Sequence, residues 1–348
     1  MTADERVILL GEGAFVATAL LVPVVRRFAL ARGISDRPAP GKVHAVPTPY
    51  LGGLAIAAAT VLAVAAAPGW GTDAALVLGA ALVVGAAGLV DDIRTVHPGT
   101  RVLIEACAAT AAFSAGWRVR LVNDPVDLAL TVLWIVVVTN AFNLLDNMDG
   151  AMATVGAVVG ATLAVAGMLE GRWFAATLAT AVAGACIGFL VHNWHPASIF
   201  MGDAGALFVG FVIAVLALGV GPADAPSPRL VAAMLLVAPV LFDTTLVVLS
   251  RWRAHRPVFV GGTDHTAHRL LQQGMTQAAV CVTLASTAVV TAVLGVAVAR
   301  DALAAWVAAL AVGASALIAL VVLLRAPVYD GGATRVWARR REAIPVAD

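Results

Sequence analysis

Four stretches of this chain carry the side chains that could do chemistry. The first, Gly88-Leu89-Val90-Asp91-Asp92-Ile93-Arg94, closes an apolar run with two adjacent carboxylates. Side by side at a helix end they repel, so a nearby cation relieves a real cost. As helical neighbours they point about 100° apart, so one can serve a metal or reacting group while the other holds a second partner; a plain acidic stop at an interface is the simpler alternative. The second stretch, Asn140 to Gly150, places Asn140, Asn143, Asp146 and Asp149 at every third residue. On a helix the last three fall within about 120° of arc, and mixed carboxylate and amide oxygens suit hard cations such as Mg²⁺. The third, His192 to Gly205, sets Asp203 between glycines that admit close backbone approach, where an apolar helix opens and its N-terminus favours anions. The fourth, Gly261 to Leu270, offers His265, His268 and Arg269 to phosphate oxygens. A plain basic interface loop is the lesser alternative, and no Cys or Glu completes a compact zinc set there. A further loop, Asp36 to Gly53, holds His44 and Lys42, the only lysine among 22 Lys and Arg.

Composition dictates what must position these residues. Of 348 residues, 61% are hydrophobic and 12% charged, where soluble domains carry about 25% charged, and the mean hydropathy is +0.94. This excludes an ordinary soluble globule and predicts an all-α polytopic bundle of ten or eleven membrane helices. A span needs about 20 apolar residues. Eleven runs are read as spans: Val7 to Val25, Leu51 to Ala67, Ala74 to Val90, Val102 to Gly116, Leu128 to Asn143, Ala151 to Leu169, Phe174 to Val191, Ala204 to Val220, Leu230 to Ser250, Gln277 to Ala299 and Ala302 to Leu324. Residues 1–325 read as one transmembrane domain and 326–348 as a basic tail. The segment Asp4-Glu5-Arg6 lacks the positive start of a cleaved leader, so the first span is read as retained. Cys107, Cys186 and Cys281 sit in apolar runs without metal spacing. The net charge of +1 points to no nucleic-acid partner.

Arginines after odd-numbered spans far outnumber those after even-numbered ones, where only Arg118, Arg120, Arg172, Arg229 and Arg300, with Arg6 at the N-terminus, are found. The positive-inside rule then puts the N-terminus outside and the C-terminal tail in the cytoplasm. All seven histidines, Lys42 and Asp91, Asp92, Asp146, Asp149, Asp203 and Asp264 fall on the same, cytoplasmic side. Trp70, Trp117, Trp173, Trp194 and Trp252 mark interfacial belts, and Asp243, inside the ninth span, is read as a structural hydrogen-bonding group.

Five motifs in order resemble the polyprenyl-phosphate N-acetylhexosamine-1-phosphate transferases of glycosyltransferase family 4, bacterial inner-membrane enzymes that start peptidoglycan, teichoic acid and O-antigen synthesis. They are Lys42-Val43-His44 to Gly53, Asp91-Asp92, Asn140 to Gly150, Phe200 to Gly205, and His265 to Leu270. The resemblance implies a bundle with a cytoplasmic cleft. There, an N-acetylhexosamine 1-phosphate, GlcNAc-1-phosphate above others, passes from a UDP-sugar to undecaprenyl or decaprenyl phosphate with release of UMP. It implies Mg²⁺, with Mn²⁺ as substitute, on Asn143 and Asp203. Asp91 and Asp92 would be the essential pair, one orienting or deprotonating the lipid phosphate, and Asp146 and Asp149 would organise the nucleotide and metal region. Phe200 would stack on uracil beside Asn193, while Lys42, His44, His265, His268 and Arg269 would bind substrate. A homodimer is compatible with it. The chain departs from the family pattern at Asn147, Ala206 and Ala267, positions bearing on donor recognition. Two rival expectations remain, a transporter or flippase for a lipid-linked or anionic solute and a non-catalytic family member.

Overall fold

A computed structural model describes residues 1–36, 47–69, 71–221, 226–258, 261–326 and 328. Lys42, His44, Trp70 and nearly all of the tail therefore lie outside the described residues. The described chain is helical: α1 (Ala3–Ala31), α2 (Gly52–Ala65), α3 (Thr72–Ile93), α4 (Pro98–Ser114), α5 (Asp124–Leu145), α6 (Ala151–Leu169), α7 (Trp173–Asn193), α8 (Gly202–Ala217), α9 (Pro226–Leu236), α10 (Ala238–Arg253), α11 (Thr266–Gln272), α12 (Gln277–Ala299) and α13 (Ala305–Leu324). Two short strands, β1 (Ser35–Asp36) and β2 (Thr48–Pro49), pair antiparallel with Ser35 opposite Pro49. In hydrocarbon each backbone N–H and C=O must be satisfied within its own segment, which is why apolar runs of this length become helices.

Each of the eleven apolar runs is helical. Seven helices, α1, α3, α5, α6, α7, α12 and α13, are long and apolar enough to cross a bilayer. The ninth run is not one helix: α9 and α10 meet at a bend of 74°. Pro239 supplies the reason, since it lacks an N–H and its ring blocks helix continuation from the preceding turn. The fourth run begins earlier than its apolar residues suggest, because Pro98 starts α4 at a position where a missing N–H costs nothing. This brings Arg101 and Glu105, four residues apart, onto one helical face.

The core is centred on α8, whose residues from Ala204 to Ala217 are all buried. Glycine lets its neighbours approach: a Cβ on Gly53 of α2 would lie 2.1 Å from the Gly205 nitrogen, and one on Gly88 of α3 would lie 2.4 Å from the Asp203 carbonyl oxygen. Cross-connections gather the ends of many helices at one end of the bundle. Gly52 donates its N–H to Phe200 O, Arg26 Nε donates to Ser198 O, and Asn193 Oδ1 accepts from Gly150 N. Trp117 is buried beneath Arg172 rather than facing an interface.

Candidate functional site

At this end, three helix termini bring oxygen atoms together around one guanidinium. Arg101, on the first turn of α4, donates through one nitrogen to Asp91 Oδ2 at 2.6 Å and Asp203 Oδ2 at 2.8 Å. Its other terminal nitrogen lies 3.4 Å from Asn143 Oδ1 and 3.5 Å from Asn140 Oδ1. Asn143 Nδ2 donates to Asp203 Oδ1 at 2.8 Å, fixing the amide so that its oxygen faces Arg101. Asn140 also donates to the buried Glu105, whose other oxygen has no partner among the described residues. Arg101 and Glu105 are not among the site residues expected from sequence, and Asn140 enters there only as part of the polar stripe. Arg101 reads there as one more loop arginine, although its spacing to Glu105 was a signal of a shared face.

The two adjacent aspartates divide their work. Asp91 Oδ1 accepts from Val96 N at 2.7 Å while its other oxygen faces Arg101. Asp92 instead points to α8, accepting from the backbone of Asp203 at 2.9 Å and Ala204 at 3.0 Å. It caps a helix from outside, satisfying donors that α8 cannot satisfy itself. Gly202 explains its motif: its φ is +76°, and a Cβ there would lie 2.7 Å from Asp92 Oδ2. Asp92 is therefore taken up in positioning the start of α8, while Asp91 faces Arg101.

The stripe expected beyond Asn143 does not persist, because α5 ends at Leu145. Asp146 caps it, half-buried. Burial raises its carboxyl pKa to about 7, with Asp203, Asp92 and Asp149 adding repulsion against the pull of the Gly202 N–H. Asp149 turns away to His195 Nδ1 at 2.8 Å and Ala197 N at 3.1 Å, so it fastens the loop after α7. Asn193 is buried with both polar atoms engaged, Oδ1 by Gly150 N and Nδ2 by Ile199 O. Asn193, expected beside a base, thus joins two loops. Phe200 is half-buried and held by its backbone to Pro49 and Gly52.

The residues of the histidine loop, expected to bind substrate, have partners within the fold. Arg269 is 1% exposed, and its guanidinium donates to Asp264 O, Leu323 O, Ala326 O and Ser250 Oγ. A cation on the last carbonyls of α13 complements the negative helix end, so these N–H groups tie the loop to the fold. Asp264 forms a two-pronged pair with Arg251 at 2.8 and 2.9 Å. Asp243 binds His265 Nδ1 at 2.9 Å and Thr266 N at 2.6 Å, the hydrogen-bonding role read for it. His268 is buried with Nδ1 lacking a partner among the described residues, and burial together with His265 lowers its pKa to about 4. Of the departures, Ala206 and Ala267 are packed in the core, while Asn147 donates to Leu144 O.

Among the described residues no three His, Cys, Asp or Glu side chains converge as a metal site. Asp91, Asp203 and the amide oxygen of Asn143 nevertheless form a hard-oxygen set already gathered about a positive charge. Mg²⁺ is commonly held by one or two carboxylates and completed by substrate phosphates and water, and this donor set fits that description.

The profile of Glycosyl transferase family 4 matches residues 74–221, the span that holds Asp91, Arg101, Asn143 and Asp203. The chain is 39% identical over 296 residues to a Streptomyces coelicolor protein named as a glycosyltransferase, covering 81% of this chain and 68% of that one. A Bacillus subtilis protein named as an undecaprenyl-phosphate N-acetylglucosaminyl 1-phosphate transferase is 32% identical over 289 residues, 78% of this chain and 80% of its own. The Mycobacterium tuberculosis decaprenyl-phosphate N-acetylglucosaminephosphotransferase is 31% identical over 308 residues, 76% of each chain.

Proposed function

The chain belongs to glycosyl transferase family 4 and is a multi-pass membrane transferase, and on that premise we propose that it moves GlcNAc-1-phosphate from UDP-GlcNAc to a polyprenyl phosphate, releasing UMP. The observation that carries this reading is the meeting of Asp91, Asn143 and Asp203, from three helices, around Arg101. An oxygen of the lipid phosphate attacks the sugar-bearing β-phosphorus of the donor. The new P–O bond forms as the bond from that phosphorus to the bridging oxygen breaks, and UMP leaves with the electron pair. Two anions must meet, so catalysis is mostly positioning and charge neutralisation.

Arg101 supplies a fixed fork for a phosphate, and Asp92 holds the Asp203 backbone where that fork can reach it. Asp91, Asp203 and Asn143 would hold Mg²⁺, or Mn²⁺ in its place, which when bound neutralises the diphosphate. Asp146, with its pKa raised to about 7, can hold or release a proton near neutrality beside these groups. We place this end of the bundle in the cytoplasm, where UDP-sugars are made; the arginine count supports it. The product would be the first lipid-linked intermediate of a cell-envelope glycan.

The test uses the purified full chain with UDP-GlcNAc, polyprenyl phosphate and Mg²⁺. UMP release that requires all three is expected. No release with any UDP-N-acetylhexosamine overturns the proposal. One observation favours a transporter instead, the 74° break between α9 and α10, since transporters bind cargo at broken helices. Movement of a lipid-linked solute across vesicles without UMP formation would establish that reading.

A further inference from the structure

Glu105 lies on α4 with only 1% of its surface exposed. One carboxyl oxygen accepts from Asn140 Nδ2, and the other has no partner among the described residues. Burying a carboxyl costs free energy, and leaving one of its oxygens unpartnered adds to that cost. An apolar side chain of like volume would fill the same place without it. Packing therefore does not account for an acid here.

The direction of one amide does. Asn140 and Asn143 stand three residues apart on α5 and share a face. Asn143 gives its Nδ2 to Asp203, whereas Asn140 gives its Nδ2 to Glu105 and, at 2.9 Å, to Val136 O. With both N–H groups of each amide turned away, the two amide oxygens are left to the same terminal nitrogen of Arg101, at 3.4 and 3.5 Å. The opposite terminal nitrogen is held by Asp91 and Asp203. Each prong thus sits between two oxygens, and the plane of the guanidinium is fixed. An Asn140 amide turned over would aim donors at donors. The contacts to the amide oxygens are long for N–H···O bonds, so theirs is the prong that a phosphate oxygen can claim.

We propose that Glu105 is a positioning residue for the transfer reaction: by holding the Asn140 amide, it keeps the guanidinium of Arg101 turned so that a fixed fork meets the substrate phosphate. This rests on the reading of the chain as a sugar-phosphate transferase in which Arg101 binds phosphate. The device works through a hydrogen bond, so residue 105 must offer an acceptor rather than a charge.

The test compares Glu105→Leu and Glu105→Gln in the full chain, and Glu105→Leu again in an Arg101→Lys background. Glu105→Leu should lower kcat/KM for UMP release about tenfold or more. Glu105→Gln keeps an acceptor for Asn140 and should stay within about threefold of the unaltered chain. In Arg101→Lys the leucine should cost less than about twofold, because an ammonium has no plane to turn. The thermal midpoint of Glu105→Leu should hold or rise as the cost of the buried carboxyl is relieved, whereas a residue serving only the fold would lower it. Phenylglyoxal labelling of Arg101, read by peptide mass spectrometry, needs no turnover; it should be faster in Glu105→Leu than in the unaltered chain or Glu105→Gln. Equal losses in the leucine and glutamine variants, equal costs of leucine in the two backgrounds, a fallen midpoint or unchanged labelling would each overturn the positioning role. Absence of UMP release from the unaltered chain sinks the transferase reading instead, and the labelling then still decides whether Glu105 holds Arg101.

Discussion

Asp92 holds Asp203 by its backbone: the Oδ1 atom at the end of α3 accepts the N–H that opens α8 at 2.9 Å. A carboxylate is thus used to anchor another carboxylate, and the two neighbours Asp91 and Asp92 have separable functions. Asp92→Ala should lose a helix cap, about 1–2 kcal/mol of stability, with UMP release falling because Asp203 is misplaced. Asp91→Asn and Asp203→Asn should keep the thermal midpoint within a few degrees and lose orders of magnitude in rate. Thermal midpoints and UMP release on the same preparations separate the two, and near-normal turnover in both Asp91→Asn and Asp203→Asn would remove them from the site.

Arg101 spans oxygens on three other helices with one planar group. Lysine carries the charge without the fork, so Arg101→Lys should retain activity reduced roughly ten- to a hundredfold. Arg101→Gln leaves Asp91 and Asp203 facing each other, and should lower the thermal midpoint in a way that added Mg²⁺ or Mn²⁺ restores. Binding of Mn²⁺ followed by electron paramagnetic resonance reads this independently of turnover. A midpoint for Arg101→Gln that divalent ions leave unmoved would contradict the shared-cation reading.

His268 makes stability depend on pH with a defined sign. Its pKa is about 4 in the fold against 6.5 for the free side chain, so the unfolded chain binds the proton more readily. Its contribution is present above pH about 6.5 and is lost as pH falls towards 4, by up to about 3 kcal/mol. His268→Gln should flatten that part of the stability curve relative to the unaltered chain. Midpoints measured from pH 7.5 to 4.5 on both proteins decide it: parallel curves would be incompatible with a buried neutral imidazole.

The crossings around α8 predict opposite outcomes for two glycines. Gly53→Ala would drive a methyl into the Gly205 backbone, and should cost at least about 1–3 kcal/mol and disturb Asp203. Gly79→Ala on α3 meets nothing within 4 Å and should be neutral or stabilising by about 0.5–1 kcal/mol. Comparing their midpoints and UMP release checks both, and equal behaviour would mean that α2 and α8 do not touch.

Hydrophobic runs made the helices legible, and the alternation of chain direction made it legible that Asp91, Asn143, Asp149 and Asp203 lie at one end. Burial at that end was not legible. Nothing in Gly261 to Leu270 says that Arg269 turns inward to the end of α13, because the carbonyls of Leu323 and Ala326 that it meets there are more than 50 residues away. Arg101 was hidden for the converse reason: apolar patterning begins at Val102, so the first turn of α4 was read as loop. The break at Val237 had a visible cause in Pro239, but apolar residues on both sides masked it.

Because α8 is buried from Ala204 to Ala217, protein rather than acyl chain packs against the apolar length of the helix that Asp203 opens. Stretching or thinning of the bilayer acts first on the outer rods, such as α13, which buries little of its surface. Between such rods and Asp203 stand α2 and α3, whose glycine contacts with α8 leave no slack to take up. The Asp203 end is thereby held by packing between protein helices rather than by the lipid around them.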